Sequence, residues 1–275
     1  MKTTNRLFSA IAIMLLLVSS TTIFAQEEAP QKPEFVTITT MHWNMDMEDF
    51  KMDEWKAIEK EFMDKVTKKN DHIMAAGFYL HNITPDNTEL IYVQAYASWN
   101  DIELAANKNG ELSKEAWPDE EERKTFFNKQ NAYYSTMHSD EIYAPMSNAK
   151  ILTEAKEGMI VYVRTSHFAF PKDGTNEEFM ETFNEYSQNV THKNEFIKGY
   201  YPMSHAYGSD GTEFIEAYYF DSLADLDKMF DRNDELFNAH WSDDAAKKEM
   251  NDKGGKYFTG VHGDVVYSVI PELRK

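Results

Sequence analysis

The feature that most constrains the fold of this chain is an internal repeat at an offset of 124 residues. Between 54–146 and 178–270, 25 of the 93 positions are identical without a gap. The repeat is clearest where Trp117, Asp119, Lys124, Lys129, Tyr133, His138, Asp140 and Tyr143 return as Trp241, Asp243, Lys248, Lys253, Tyr257, His262, Asp264 and Tyr267. Self-similarity of this kind predicts two tandem copies of one structural module.

Hydrophobic periodicity predicts the same order of elements, β-α-β-β-α-α-β, in both copies. In the first copy we predict strands at 35–43, 73–83, 90–97 and 133–144, and helices at 49–69, from 101 and at 119–131. In the second copy we predict strands at 159–168, 197–207, 214–220 and 257–270, with Asn176, Ser222 and Ser242 as helix caps and Gly254-Gly255 as a helix stop. Each copy is therefore a ferredoxin-like module with one added helix.

A ferredoxin-like module covers one face of its sheet with helices and leaves the other face bare. Strands this rich in Val, Ile, Tyr and Phe would not leave that face in water, so we expect the two sheets to pack against each other. The predicted fold class is α+β, with modules at 35–146 and 159–275 and a linker at 147–158.

The order of elements and their doubling resemble the dimeric α+β-barrel superfamily. That group includes antibiotic-biosynthesis-type monooxygenases, EthD-like and NIPSNAP-like proteins, and the haem-binding chlorite dismutases. The resemblance rests on topology and repetition over nearly all of the mature chain, without a signature motif. It implies an intrachain α+β barrel, and it carries over no catalytic residue.

The first 25 residues are typical of a secretory signal peptide. Lys2 and Arg6 form a positive start, 11–18 is a short apolar core, and Ala25 precedes the expected cleavage site. Residues 26–34 then form a flexible leader, and the mature protein is expected in the periplasm or outside the cell. The chain has no Cys, so export brings no disulfide and the lipoprotein route is closed.

The composition favours a small-molecule partner. The net charge is −19, and it becomes −21 when Lys2 and Arg6 are removed with the signal peptide. Nucleic acids and anionic membranes are bound through Lys and Arg, so they are excluded as expected partners. The 18 Phe, 15 Tyr and 5 Trp favour a cavity for a small apolar or aromatic molecule.

Histidines that recur in both copies are the main candidate site residues. His81/His205 and His138/His262 pair at offset 124, and His42/His167 pair at 125. We interpret His81, His138, His205 and His262 as candidate acids or bases. Ligand contacts are predicted for His42, His167, Tyr133, Tyr257 and Arg164. A purely structural role for the paired histidines, through hydrogen bonds to the backbone or to Asp140 and Asp264, remains open.

Three functions follow from these residues. The first is an exported small-molecule-binding barrel, with cofactor-independent oxygenation or isomerisation, using His as acid or base, as its reaction if it is an enzyme. The second is a non-catalytic carrier or structural barrel. The third is a redox protein in which the histidines ligate haem or a divalent metal. No cofactor is expected, because the sequence has no local metal-binding motif.

Overall fold

The computed structural model describes residues 32–275. The predicted signal peptide and most of the predicted leader lie outside the described residues. Within 32–275, no helix combines the length and the apolar character needed to cross a membrane.

The first copy contains all seven predicted elements. They are β1 (Phe35–Trp43), α1 (Met52–Lys65), β2 (Ala75–Ile83), β3 (Glu89–Tyr96), α2 (Trp99–Ala116), α3 (Glu120–Asn131) and β4 (Tyr134–Pro145). The end of the predicted first helix becomes a 3₁₀ turn at Thr67–Lys69. Ser98 caps α2 by accepting from the Asp101 N–H at 3.2 Å.

The second copy repeats the order. Its elements are β5 (Ile160–Phe168), α4 (Asn176–Tyr186), β6 (Gly199–Tyr207), β7 (Glu213–Phe220), α5 (Leu223–His240), α6 (Asp244–Gly255) and β8 (Phe258–Arg274). A π-helical turn at Ser187–Thr191 follows α4. Ser222 caps α5, as predicted.

Two predicted helix caps in the second copy were wrong by one residue. Thr175 caps α4 instead of Asn176, because its hydroxyl accepts from the Glu178 N–H at 3.1 Å. The carboxylate of Asp243 replaces Ser242 as the cap of α6, since it accepts from two backbone N–H groups. The predicted stop at Gly254-Gly255 agrees with the structure, since α6 ends at Gly255 and Lys256 caps it in the right-handed helical conformation.

The eight strands close into one antiparallel barrel in the order β1-β3-β2-β8-β5-β7-β6-β4. Within the barrel, the first copy contributes four neighbouring strands in the order β4-β1-β3-β2, and the second copy contributes β8-β5-β7-β6. The copies meet at two edges, where β2 pairs with β8 and β4 pairs with β6. The predicted intrachain α+β barrel is therefore confirmed, and its sheet has no free edge.

Side chains from both copies fill the inside of the barrel. This core contains Val36, Tyr79, Ile91, Tyr143, Val161, Met203, Ile215, Tyr219, Tyr267 and Val269. Because side chains alternate along a strand, the opposite face of each strand meets the helices. Space for a ligand therefore has to come from the layer between sheet and helices.

The edges are joined by a reciprocal pair of hydrogen bonds. Tyr143 of the first copy donates to Glu213 of the second at 2.6 Å, and Tyr267 of the second donates to Glu89 of the first. All four residues recur at offset 124, so the two bonds are related by the internal pseudo-symmetry. Part of the repeated sequence is thus explained by assembly of the barrel.

Candidate ligand cavity

A cavity of about 670 Å³ lies between the sheet and the helices of the second copy. Strands β5, β7 and β8 form its floor, and α4, α5 and α6 form its walls. Its lining is largely aromatic: Tyr162, Phe179, Phe183, Tyr186, Phe214, Tyr218, Phe230 and Phe258, with Met229 and Met250. A concave, mainly apolar space with a few polar groups is the usual form of a small-molecule site.

The main polar group of the floor is Glu216 on β7. Its Oε1 accepts from the hydroxyls of Tyr200 at 2.6 Å and Tyr218 at 2.7 Å. Burial raises the pKa of the Glu216 carboxyl, against the opposing effect of the two hydroxyls. A carboxyl of this kind exchanges its proton closer to neutral pH than an exposed one, which suits acid–base chemistry.

Three charged residues lie in one row across the sheet. Arg164 of β5 is the direct cross-strand neighbour of Glu216 on one side and of Asp264 on the other. Its guanidinium turns toward Asp264, with 4.0 Å between Nη1 and Oδ1. Asp264 also accepts from the Tyr162 hydroxyl at 2.5 Å and lies 2.8 Å from Nδ1 of His262. His262 is thus linked through Asp264 to two residues of the cavity lining, Arg164 and Tyr162.

The cavity opens to solvent between α5 and α6. Phe230 is 51% exposed, and Asp234, one turn further along α5, is also exposed. Asn251 and Gly255 of α6 are the exposed lining residues on the other side. The entrance therefore presents one aromatic ring and one carboxylate on α5, opposite small or polar groups on α6.

The corresponding region of the first copy is occupied by its own side chains. Glu59 of α1, only 3% exposed, accepts from the Tyr134 hydroxyl at 2.6 Å and from the Gln130 amide at 2.9 Å. Trp55 donates its indole N–H to the same Tyr134 hydroxyl at 2.8 Å. Burial raises the pKa of the Glu59 carboxyl to about 7, although the hydrogen bonds from Tyr134 and Gln130 act to lower it.

The difference between the copies follows from a few substitutions at equivalent positions. At offset 124, Asn251 and Gly254 of the second copy correspond to Phe127 and Gln130 of the first. Phe127 packs against Trp117 in the first copy, whereas Gly254 leaves open space above the floor. Of all the cavity residues, Asn233 is the one that is identical at its counterpart, Asn109.

The histidines predicted at the first strands are tied to hairpin turns. His42 Nδ1 lies 3.3 Å from the Thr88 hydroxyl and 3.2 Å from the Asp86 carboxylate. His167 makes the same contacts with Thr212 and Asp210, at 3.1 and 3.3 Å. By strand alternation both residues lie on the barrel side of the sheet, away from the cavity.

The second strand of each copy carries His81 or His205 to the same end of the barrel. His81 Nδ1 lies 2.7 Å from the Thr84 hydroxyl. His205 packs against the ring of Tyr143, and its buried Nε2 has no hydrogen-bond partner among the described residues. Neither imidazole lines the cavity.

The remaining predicted residues are spread over the helix side of the sheet. His138 is exposed, 3.5 Å from Asp140. Tyr133 is buried in the core of the first copy. Tyr257 donates to Glu178 at 2.6 Å and accepts from the Thr175 N–H, so it fixes the start of α4. Of the nine predicted site residues, Arg164 alone lines the cavity. The histidines lie outside it, and a catalytic role for them stays a prediction.

Sequence reasoning missed Glu216, Tyr218 and the aromatic walls. A signal was present, because Glu216 occupies the same face of its strand as Phe214, Tyr218 and Phe220. A carboxylate on an otherwise apolar strand face requires a partner or a function. The equivalent position in the first copy is Tyr92. Because the two residues differ, Glu216 is not among the residues that the copies share.

The sequence matches no protein-family model and no curated protein. Solved structures match the fold. A putative monooxygenase from Fusobacterium nucleatum superposes with a TM-score of 0.53 at 12% identity, covering 86% of this chain and 93% of that one. This chain has a dimeric α+β-barrel fold. Other structures with this fold are a putative monooxygenase from Lactobacillus acidophilus (TM-score 0.52, 10% identity, 88% and 95% covered) and a chlorite dismutase from Candidatus Nitrospira defluvii (0.53, 11%, 88% and 93%).

The cavity of this α+β barrel does not fit a histidine-ligated haem. Its lining contains no imidazole, and Arg164, its one cationic residue, is accompanied by the carboxylates of Glu216 and Asp234. A haem needs an axial ligand, for which His is the common choice, and cationic partners for its propionates. Among residues 32–275, no group of three or more His, Asp or Glu side chains is arranged to hold a metal ion.

Proposed function

We propose that this protein is an exported small-molecule-binding α+β barrel that holds one ligand per chain, in the cavity of its second copy. The observation that carries the proposal is the asymmetry of the two copies. The second copy leaves about 670 Å³ open above an aromatic floor, whereas Glu59, Tyr134 and Gln130 occupy the equivalent space in the first. Small residues at the entrance, Gly254 and Gly255, support the same conclusion.

The reaction that this cavity suits is proton transfer to or from a bound ligand, with Glu216 as the acid or base. The carboxyl has a raised pKa, two phenolic donors on one oxygen, and a largely apolar surrounding. Proton abstraction of this kind is shared by isomerisation and by cofactor-independent oxygenation. In this proposal Glu216 is the acid or base, because the paired histidines lie outside the cavity.

Closing the cavity with residues of the first copy is expected to abolish ligand binding. In the double variant Asn251→Phe, Gly254→Gln, the new side chains fill the entrance and the space above the floor. The fold should survive, because the same residues are accommodated at 127 and 130. Binding of N-phenyl-1-naphthylamine, a neutral apolar fluorophore, would be followed by its fluorescence, and folding by thermal unfolding.

The control is the reverse exchange in the first copy, Phe127→Asn with Gln130→Gly. We expect this variant to keep the fluorophore site of the second copy with unchanged affinity. If the folded Asn251→Phe, Gly254→Gln variant binds the fluorophore as tightly as the wild type, the ligand binds elsewhere. That result would refute the proposal.

Export is a separate prediction. Expression of the full chain in a bacterial host with intact secretion should yield a protein that begins at Gln26, recovered outside the cytoplasm. Replacing Ile13 and Leu15–Leu17 of the apolar segment with Gln should retain the longer precursor in the cytoplasm. Intact mass and cell fractionation measure both results. An uncleaved wild-type chain that remains cytoplasmic would contradict export.

A further inference from the structure

We propose that the cavity selects an organic cation: an amine or quaternary ammonium group attached to a small apolar or aromatic body. This inference rests on the proposed function, because it names the ligand class of the same cavity. It is carried by three features: an aromatic enclosure, a carboxylate with an unused oxygen, and an acidic entrance.

The enclosure is made of aromatic rings on several elements. Eight of the eighteen lining residues are Phe or Tyr, contributed by β5, β7, β8, α4 and α5. The face of an aromatic ring carries negative potential and attracts a cation that has lost part of its hydration. Walls of this kind favour an alkylammonium group over an anion of the same size.

Glu216 supplies the charge that such a group requires. Both tyrosine hydroxyls donate to Oε1, and no group of residues 32–275 donates a hydrogen bond to Oε2. The second oxygen therefore lies at the cavity floor with an acceptor site for a ligand. A cation bound there would stabilise the charged carboxylate, which burial alone disfavours.

The charge of Arg164 acts on the Glu216 carboxyl without a direct contact and leaves Oε2 free of hydrogen bonds from residues 32–275. Although Arg164 and Glu216 are direct cross-strand neighbours, no ion pair within 4.0 Å joins them, and the guanidinium points to Asp264 instead. In and beside the cavity, three carboxyl groups, those of Glu216, Asp264 and Asp234, are accompanied by one guanidinium group, that of Arg164. This excess of carboxyl groups favours a cation over an anion as the ligand.

The charge at the entrance and the net charge of the chain also favour a cationic ligand. Asp234 and Phe230 lie one turn apart on the exposed face of α5 and would meet an arriving ligand first. The chain carries a net charge of −19. A negative cleft in a negative protein raises the local concentration of cations and their association rate.

Three probes of one shape and different charge test this inference. Benzyltrimethylammonium, neopentylbenzene and phenylmethanesulfonate each join a benzyl group to a tetrahedral head that is positive, neutral or negative. We expect the cation to bind about tenfold more tightly than the neutral probe, and the anion to bind more weakly than both. Displacement of N-phenyl-1-naphthylamine at low salt measures the three affinities.

Two variants locate the selectivity. Glu216→Gln should lower cation affinity about tenfold and leave neopentylbenzene within about twofold. Should that variant unfold, Asp234→Asn at the exposed entrance should lower cation affinity about two- to threefold, while Asp231→Asn, outside the lining on the same helix, should not.

The outcomes separate the two proposals. Equal or tighter binding of neopentylbenzene or of phenylmethanesulfonate, lost in the Asn251→Phe, Gly254→Gln variant, would overturn cation selection and leave the cavity as a ligand site. Cation binding that persists in the filled variant would overturn both.

Discussion

Replacing Glu59 with Gln is expected to remove a pH-dependent loss of stability. The carboxyl is buried between Tyr134 and Gln130, and burial raises its pKa from 4.5 to about 7. An acid with a higher pKa in the folded state keeps its proton longer when folded. The protonated Glu59 carboxyl therefore makes its full contribution to the free energy of unfolding below pH 4.5, and this contribution is lost as the pH rises to about 7. The loss is about 3 kcal/mol in the free energy of unfolding.

In Glu59→Gln the amide oxygen still accepts from Tyr134, and the Gln130 amide turns over to accept from the new N–H groups. Urea unfolding between pH 4.5 and 8 would give the difference in stability between the two proteins. As the pH rises over this range, the free energy of unfolding of the variant should increase by about 3 kcal/mol relative to that of the wild type. Glu61→Gln, on the same helix at a half-buried position beside Lys65, controls for the removed charge. A difference that is independent of pH would refute the buried-acid explanation.

Asn194→Ala should cost about 2 to 4 kcal/mol of stability, because it leaves several buried groups without partners. The fully buried Asn194 side chain donates to the Met229 carbonyl at 3.1 Å and to Asn233 at 2.8 Å, and accepts from the Phe196 N–H at 3.0 Å. Met229 and Asn233 line the cavity. The variant should therefore also weaken ligand binding by loosening α5.

The first copy offers a matched variant. Asn70 makes the equivalent bonds to the Ala105 carbonyl and to Asn109, at 2.8 and 2.7 Å. Asn70→Ala should cost a similar amount of stability, measured by chemical unfolding, and leave ligand affinity unchanged. Equal losses of affinity in both variants would mean that the effect reports global stability and not the position of α5.

Comparison of the copies shows why the fold was predictable and the site was not. Residues identical in both copies mostly have the same structural task twice. Asn70 and Asn194 lock a helix, Asp86 and Asp210 fix a hairpin, and Tyr143 and Tyr267 join the barrel edges. Such contacts are local or follow from the strand order, so a repeated pattern reveals them.

The same logic misdirected the search for the site. The paired histidines were attractive because they recur, yet His42 and His167 recur in contact with the equally repeated Asp-x-Thr turns. The cavity depends on positions where the copies differ, such as Glu216 opposite Tyr92 and Gly254 opposite Gln130. Arg164 was found because an isolated cation on an apolar strand stands out in any single copy.

Hydrophobic periodicity and the repeat were sufficient to predict the module, its duplication and the closed barrel, because they specify which faces must be buried. The place where a ligand can bind follows only from the packing of helices on the sheet. Phe127 of α3 and Asn251 of α6 occupy equivalent positions, and which of them leaves a cavity depends on how each helix packs on its sheet, which the hydrophobic pattern alone does not specify. Packing of helices on the sheet, and not the residues shared by the two copies, distinguishes the open module from the closed one.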